Sequence, residues 1–373
     1  MRKTIAFVLV LLFVLALPTA LVTHNVSRVV FDTALVKSVF IKQIVQSDLI
    51  SVTLEWFSYR RAEERVRTGE AQTGIREPDV VKALQFLDRD EWRKIKAEVL
   101  PNEILIGWLS AIADGVYAWI DTNDPVPNIA LELKPWKDYT KSMHGVNAIQ
   151  ILYDALPPCS PEEIGDFVSR QKSAPSGTTV LYNLGTPCAF PLPWRTGQVA
   201  DYRHNMDVII DSNPDRFDLT QALAQIAEQQ AIRIESIKQQ LRTIRTLVVL
   251  SPLFLLALVG SMLILVVRSV SDLGRWVGLQ LVVGGLVCLT PPLAYQGIIT
   301  ILFTASPMGG APQQVQQEFV RVISILAAEI FQPMYVQALV IIVVGAALTI
   351  LGIVVKQKSP AVPQANPREK IPN

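Results

Sequence analysis

Four long apolar runs constrain this chain more than any other feature of its sequence. They occupy residues 4–22, 247–267, 276–303 and 335–355. The hydrocarbon core of a bilayer is ~30 Å thick, so a helix needs about 20 apolar residues to cross it. Charged residues make up 18% of the 373 and avoid these runs, which is typical of a membrane protein with a water-facing domain. The sequence therefore predicts a mainly α fold with four transmembrane helices.

The first apolar run has two interpretations, because it follows the basic residues Arg2 and Lys3. One is a signal peptide that is cleaved after Ala16. The other is an uncleaved anchor over residues 1–22, which we favour because Pro18 follows the cleavage position and the apolar run continues beyond it. Both interpretations place residues 23–246 on the outer side of the membrane.

The distribution of basic residues predicts the orientation of the spans. They precede the first span, lie between the second and third, and follow the fourth: Arg2, Lys3, Arg268, Arg275, Lys356, Lys358, Arg368 and Lys370. Short cytoplasmic segments carry an excess of Lys and Arg, so both termini are predicted to be cytoplasmic. The large segment 23–246 and the loop 304–334 are then outside.

Residues 23–218 predict one mainly helical extracytoplasmic domain, since this length suffices for a core of its own. Apolar positions recur with helical spacing over 29–48, 78–99, 102–120, 146–155 and 160–171. Alternation over 129–133 and 178–184 predicts two short strands, at most a small β element. The tail, 356–373, is polar and rich in proline, which predicts a disordered cytoplasmic segment.

Residues 219–246 predict a helical stalk capped by Asp218. Its apolar spacing is irregular at Gln230, and no helix breaker separates it from the second span, so we expect a continuous rod. The three-span region 247–355 contains a second outer amphipathic helix, 313–332, which we expect Pro333 to end. We favour packing of this helix against the stalk. The alternative is a seam for a second copy of the chain or a partner.

Two of the three cysteines, Cys159 and Cys188, fall in the predicted outer domain, and Cys288 falls in the third span. The sequence has no CxxC motif and no Cys/His group at zinc spacing. Two cysteines in one domain of an oxidising compartment favour a disulfide. Two unpaired, half-buried thiols are the alternative.

Residues 90–190 resemble a family of uncharacterised bacterial multi-pass membrane proteins. The residues that carry the resemblance are DEWRKIKAEVLPNEILIGWLSAIADGVYAWI, then LYDALPPCSPEEI, then TPCAFP. The family shares a helix, a Leu-Pro break, an amphipathic helix, a Leu-Pro-x-Cys motif and a later Cys-x-x-Pro motif. The resemblance implies a bacterial plasma-membrane protein with one span before the domain and three after it. It also implies pairing of Cys159 with Cys188, and it implies no activity.

The sequence offers few candidates for chemistry. Asp211, Asn213 and Asp215 match the first three ligand positions of an EF-hand loop, but Arg216 replaces the required glycine, so a turn is the better interpretation. Motifs of hydrolases, nucleotide-binding proteins and zinc proteases are absent from the sequence. An outer-face hydrolase would need His144 or His204 to meet a carboxylate in a deep polar pocket. We therefore expect no enzyme activity, cofactor or metal.

The third span is the unusual one, because Thr290, Pro291, Pro292 and Gly297 predict a kink. We favour a packing kink, and the alternative is a polar passage or lipid site. None of the four runs contains Asp, Glu, Lys, Arg or His in its apolar interior, which argues against an ion-coupled pump. Gly345 and Thr349, one helical turn apart in the fourth span, predict a close helix–helix contact.

These features together predict a non-enzymatic extracytoplasmic binding, sensory or scaffolding module that acts through a membrane partner. A small-solute or lipid-handling transporter that uses the kinked third span is the alternative. The expected partners are the lipid bilayer and either a membrane protein or further copies of the chain. The net charge of +1 gives no electrostatic basis for nucleic-acid binding.

Overall fold

The computed structural model describes residues 2–68, 79–174, 187–229, 234–267, 269–305 and 312–358. These residues are mainly helical, with one two-stranded sheet, so the predicted fold class is confirmed. The chain divides into two compact units. We call residues 1–32, 242–298 and 327–373 the apolar unit, and residues 33–241 and 299–326 the polar unit.

Seventeen α-helices are found in the described residues, together with shorter helical turns. The first ten are α1 (Arg2–Val30), α2 (Thr33–Leu35), α3 (Lys42–Gln46), α4 (Leu49–Thr68), α5 (Asp79–Ala83), α6 (Arg89–Val99), α7 (Asn102–Asp121), α8 (Lys134–Thr140), α9 (Met143–Asp154) and α10 (Pro161–Ser173). The others are α11 (Arg195–Ser212), α12 (Leu219–Gln229), α13 (Ile234–Val266), α14 (Val270–Leu273), α15 (Leu279–Cys288), α16 (Thr290–Ala305) and α17 (Gln313–Lys358). Two π-helical turns cover Val36–Ile41 and Gly274–Gly278, and a 3-10 turn covers Leu84–Phe86.

Five stretches of helix in the described residues are long and apolar enough to cross a membrane. Four of them, Phe7–Val30, Ile234–Leu265, Trp276–Phe303 and Gln313–Val355, contain or overlap the four predicted runs. The fifth, Asn102–Asp121, is α7 of the polar unit and is the least hydropathic. The number of spans therefore remains a prediction, whereas the presence of several helices able to span is shown.

Glycines bring the helices of the apolar unit into close contact. A Cβ atom on Gly345 of α17 would lie 2.7 Å from the backbone nitrogen of Val282 in α15 and 2.8 Å from the carbonyl oxygen of Gly278. A Cβ atom on Gly274 would lie 2.6 Å from the Cα of Gly352 in α17. Such distances leave no room for any side chain, so these helices touch through their backbones.

A mixed core forms where α1, α13, α15 and α17 meet. Its buried members are Phe13, Leu17, Leu258, Met262, Cys288 and Ala338. A polar pair lies in the same unit: Asn25 of α1 donates a hydrogen bond of 2.7 Å to the side-chain oxygen of Gln337 in α17. Asn25 is only 2% exposed, so its side-chain amide needs a hydrogen-bond partner within the protein, and Gln337 supplies one.

The main core of the polar unit lies among α5, α6, α9 and α11. Its buried residues are Val80, Ala83, Leu87, Trp92, Ile95, Ile149, Leu152, Leu156 and Tyr202. The sheet is small: β1 (Ala130–Glu132) pairs antiparallel with β2 (Arg216–Asp218). The alternation over 129–133 thus predicts a strand correctly. Its partner β2 lies in a segment interpreted as a turn, and the second predicted strand, 178–184, lies outside the described residues.

Several predicted helix ends differ from the structure. The helix predicted over 78–99 is two helices, because Leu87 is extended and Asp88 begins α6 with a capping box to Glu91. Pro333 does not end the helix that begins at Gln313, which continues to Lys358. Proline removes one backbone hydrogen bond. Met334, the residue after Pro333, is fully buried, and such packing opposes that loss.

The residues of the predicted stalk form α12 and the first part of α13, and the junction at residues 230–233 lies outside the described residues. Asp218 caps α12, accepting a hydrogen bond of 2.8 Å from the backbone N–H of Thr220. In α13, Lys238 is 1% exposed and donates to the carbonyl of Asp124 at 2.7 Å. The Trp119 indole donates to the same carbonyl at 2.9 Å. This shared acceptor joins the start of α13 to α7.

Candidate functional site

A polar cleft of about 470 Å³ lies in the polar unit. Its walls come from the end of α3, the start of α4, the second half of α6 and the start of α7. Most of its lining side chains are polar or charged: Gln46, Ser47, Asp48, Ser51, Arg93, Lys96, Asn102 and Glu103. Volumes of ~300–1,000 Å³ are usual for small-molecule sites, so the cleft is large enough for a small ligand.

An ion pair with two hydrogen bonds forms one wall of the cleft. Arg93 donates from Nε to Asp48 Oδ1 at 2.8 Å and from Nη2 to Asp48 Oδ2 at 2.5 Å. These hydrogen bonds, with the Arg93 charge, lower the pKa of Asp48 below its ordinary value. Arg93 also donates to Asp90 one turn earlier on α6. The guanidinium is therefore held in one orientation, and Asp48 is held ionised.

Lys96 joins three of the elements that form the cleft. Its ammonium donates to the carbonyl of Val45 at the end of α3 at 2.9 Å and to Asn102 Oδ1 at the start of α7 at 2.8 Å. Burial lowers the pKa of Lys96, and the nearby Asp48 charge acts in the opposite direction. The Pro101 break between α6 and α7 is what brings Asn102 within reach of Lys96.

The charges of the cleft continue to the first part of α17. Arg89, one turn before Arg93 on α6, lies 3.4 Å from Glu318 Oε1, and Arg321 lies 3.7 Å from Glu318 Oε2. The charges of Arg89 and Arg321 also contribute to lowering the pKa of Asp48. The Glu318 side chain is only 13% exposed, so water screens these interactions incompletely.

Glu55 of α4 faces the same group of charges. Burial raises its pKa, the Arg89 charge opposes that rise, and the Asp88 charge adds to it. Its Oε2 atom is buried and makes no hydrogen bond to a described residue. Protonation would therefore remove a poorly solvated charge from the junction of α4 with α6.

The predicted disulfide is present between Cys159 and Cys188. The chain segments beside it are hydrogen-bonded: the Cys159 N–H donates to the Ala189 carbonyl at 3.0 Å, and the Ala189 N–H donates to Pro157 at 2.8 Å. The buried Gln198 of α11 donates to the Cys188 carbonyl at 2.6 Å. The segments around Cys159 and Cys188 are thus held together by hydrogen bonds as well as by the disulfide. In sequence they are far from the residues that line the cleft.

The residues predicted for the kink lie at a helix start. Helix α15 ends at Cys288 and α16 begins at Thr290, so the interruption falls at Leu289. Pro291 and Pro292 occupy the first turn of α16, where no N–H is required. The Pro292 carbonyl accepts a hydrogen bond of 2.8 Å from Tyr335 of α17, and Gly297 faces open space.

Neither candidate histidine completes a catalytic triad in the described residues. His144 Nδ1 lies 2.7 Å from Glu98 Oε2, and its ring stacks on Tyr139 at 4.0 Å. No described hydroxyl or thiol hydrogen-bonds to the other ring nitrogen, so the pair lacks a nucleophile. His204 is exposed.

The acidic groups considered for calcium are paired with lysines. Asp215 lies 2.8 Å from Lys137, and Asp211 pairs with Lys141. The Asn213 carbonyl also accepts a hydrogen bond from Lys137. Among the described residues, no three His, Cys, Asp or Glu side chains converge in a way that could hold a metal ion. Asp211 and Asp215 are therefore each paired with a lysine and do not face each other across a shared ion site.

Sequence reasoning did not find the cleft. Its central ion pair joins residues that are 45 positions apart. Helix α4, which begins next to Asp48, was not predicted. The one usable signal was the Leu-Pro-Asn-Glu break at residues 100–103, which does form part of the cleft wall.

Comparison of the chain with models of known families, with curated proteins and with solved structures gave no match in any of the three. The resemblance to a bacterial membrane family therefore remains an expectation, and the function has to be argued from the geometry.

Proposed function

We propose that this protein is a non-enzymatic binding or sensory module of a membrane, which receives a ligand in the polar cleft and acts through a membrane partner. The observation that carries the proposal is the connection between the cleft and α17. Asp48 and Arg93 line the cleft, and the charges of Arg89 and Arg321 reach Asp48 from beside Glu318.

A ligand that engages Asp48 or Arg93 would alter the charge next to α17. The Coulomb energy of two charges at about 4 Å is of the order of 4 kcal/mol at an effective dielectric constant of ~20. Changing one of these charges therefore changes the balance at Glu318. A ligand shifts a conformational equilibrium only when it interacts differently with the two conformations. A changed charge balance at Glu318 would provide such a difference.

Helices α13 and α17 supply a route for such a shift, because each contains residues of both units without a break. Glu318 lies in the polar-unit part of α17, and Met334, Ala338 and Gly345 pack in the apolar-unit part. A continuous helix transmits a displacement along its axis better than a loop does. This arrangement favours sensing over simple anchoring.

The proposed topology has four spans, both termini in the cytoplasm and residues 23–246 outside the plasma membrane of a bacterium. The positions of Arg and Lys favour this orientation. The Cys159–Cys188 disulfide favours an oxidising compartment for the polar unit. We place α7 outside the bilayer because its Asp114 pairs with Lys37 and its Gly115 contacts Ile129 beside β1.

A transporter that uses the third span is the second candidate. The interruption at Leu289 and the buried amide pair of Asn25 and Gln337 favour it, because both place polar groups in the apolar unit. The Tyr335 hydroxyl and these amides would then be the first contacts of a polar solute. This candidate has no connection to the cleft.

Hydrogen exchange on the full chain in lipid nanodiscs tests the proposed coupling. We expect Arg93→Gln to increase amide exchange within residues 313–326 as well as in the cleft. Lys94→Gln, an exposed neighbour on α6, is the matched control and should change neither. Unchanged exchange over 313–326 in Arg93→Gln would contradict the sensory proposal.

Purification from the native host in mild detergent, with mass spectrometry of everything retained, tests the partner. A stoichiometric membrane protein supports the proposed module. A protein that is recovered alone with a bound lipid or solute argues for the transporter instead.

A further inference from the structure

The cleft carries one positive and one negative side chain that do not neutralise each other. Lys96 and Glu103 both line it, yet no ion pair within 4.0 Å joins them. The two other charged lining residues, Asp48 and Arg93, are already paired with one another. The cleft therefore offers a ligand one separated cation and one separated anion.

Lys96 retains hydrogen-bonding capacity for a ligand. An ammonium group has three N–H donors, and the described residues accept from two of them, through the Val45 carbonyl and Asn102 Oδ1. Both acceptors are uncharged. An anionic group of a ligand could thus accept a hydrogen bond from the third donor.

Glu103 is suited to the opposite end of a ligand. It lies exposed in the first turn of α7, where a negative charge interacts favourably with the N-terminal end of the helix. Among the described residues it has no ion-pair partner. A ligand ammonium group would provide one.

Ser51 adds a neutral polar group to the cleft. This residue of α4 is 2% exposed and lines the cleft. A hydroxyl group can both donate and accept a hydrogen bond, so it could bind either polar group of a ligand.

We infer that the cleft binds a small zwitterion, such as a free amino acid, with its anionic group at Lys96 and its cationic group at Glu103. A dianion would meet the carboxylates of Asp48 and Glu103, and a dication would meet Arg93 and Lys96. Only a ligand that carries both charges complements both Lys96 and Glu103. The inference rests on the cleft being the binding site of the proposed function.

The test is calorimetric titration of the full chain in nanodiscs. The probes are the twenty common L-amino acids, γ-aminobutyrate and taurine, with acetate and ethylammonium as singly charged controls. At least one zwitterion should bind about tenfold or more tightly than either control. If none does, the inference is wrong.

Two variants check the assignment of the ends. Glu103→Gln, an exposed change that should leave the fold intact, should weaken zwitterion binding about tenfold or more and leave acetate unaffected. Lys96→Met should weaken both, and Lys94→Met is its exposed control on the same helix. Zwitterion binding that is unchanged in Glu103→Gln would overturn the assignment.

The two proposals fail separately. A zwitterion that binds without changing hydrogen exchange over 313–326 supports the ligand class and contradicts the coupling to α17. Altered exchange in Arg93→Gln, together with no zwitterion binding, contradicts the ligand class and leaves the coupling in place.

Discussion

In the apolar unit, glycines such as Gly278 and Gly345 bring helix backbones into direct contact, whereas the polar unit has a larger buried apolar core and is also joined by long charged side chains. Lys96, Lys238 and Arg93 each reach from one element to a partner on another. The topology proposed above accounts for this difference. Lipid tails are as apolar as the side chains, so helices within a bilayer gain little by burying leucine and associate where close approach is possible.

The two units are therefore expected to be destabilised by different kinds of substitution. Adding a methyl group at Gly278 or Gly345 is a damaging change in the apolar unit, because the backbone of a neighbouring element already fills that space. Removing the disulfide or one of the linking charges is a damaging change in the polar unit. Separate probes are available: six of the seven tryptophans lie in the polar unit, and the one unpaired cysteine, Cys288, is buried in the apolar unit.

The largest expected effect is on the polar unit, from loss of the disulfide. Replacing Cys159 and Cys188 together by serine should lower its free energy of unfolding by about 3–4 kcal/mol, because the bond closes a loop across 29 positions. Denaturation followed by tryptophan fluorescence measures this. Alkylation of Cys288 should keep its wild-type denaturation midpoint. If both probes shift equally, the two units do not unfold separately.

An intermediate effect is expected in the apolar unit from Gly345→Ala. The added methyl group would overlap the backbone of Gly278 and Val282, which should cost about 1–3 kcal/mol. Heating the protein in detergent with a maleimide measures this loss of stability, because Cys288 is labelled only after the residues around it separate. The matched control is Gly260→Ala in α13, where a Cβ meets nothing within 4 Å. Equal midpoints for the two variants would show that glycine contacts do not hold this unit together.

The smallest effect concerns pH and the polar unit. The pKa of Glu55 is raised by burial, so the folded state binds more protons than the unfolded state above the ordinary pKa of 4.5. The free energy of unfolding should therefore fall as the pH rises from that value through the raised pKa. Glu55→Gln should flatten this fall.

Tryptophan fluorescence at a series of pH values measures the Glu55 contribution. Glu63→Gln, an exposed change on the same helix, is the control and should retain the wild-type slope. Asp48 acts in the opposite direction, because its lowered pKa makes its stabilisation present at neutral pH and lost only in acid. A wild-type slope in Glu55→Gln would show that burial does not control this carboxyl group.

The parts of this molecule that could be predicted from sequence are those set by one local rule. Bilayer thickness fixes the length of an apolar run, and a capping box such as that of Ser160 and Glu163 marks the start of α10. The strand at 129–133 follows from alternation. Each of these signals lies within a few residues or within one span.

Features that depend on distant residues could not be predicted in the same way. Helix α17 continues past Pro333, and Met334 and Ala338 just beyond it are buried, which no local pattern shows. The cleft needs Asp48 and Arg93 to meet across 45 positions, so its charges were not recognised as a group. Asn25 likewise could not be identified as part of a buried polar pair, because its partner Gln337 is 312 positions away.

Helix α17 is longer than any bilayer requires. Its 46 residues correspond to about 69 Å at 1.5 Å per residue, more than twice the ~30 Å of a hydrocarbon core. Its Glu318, Arg321 and Glu329 all lie in the N-terminal half, so the excess length falls at that end. If α17 crosses a bilayer as proposed, a thinner or thicker membrane would move the water boundary along it and leave the helix itself unchanged. The helix would then convert bilayer thickness into a difference in how much of its charged end is hydrated.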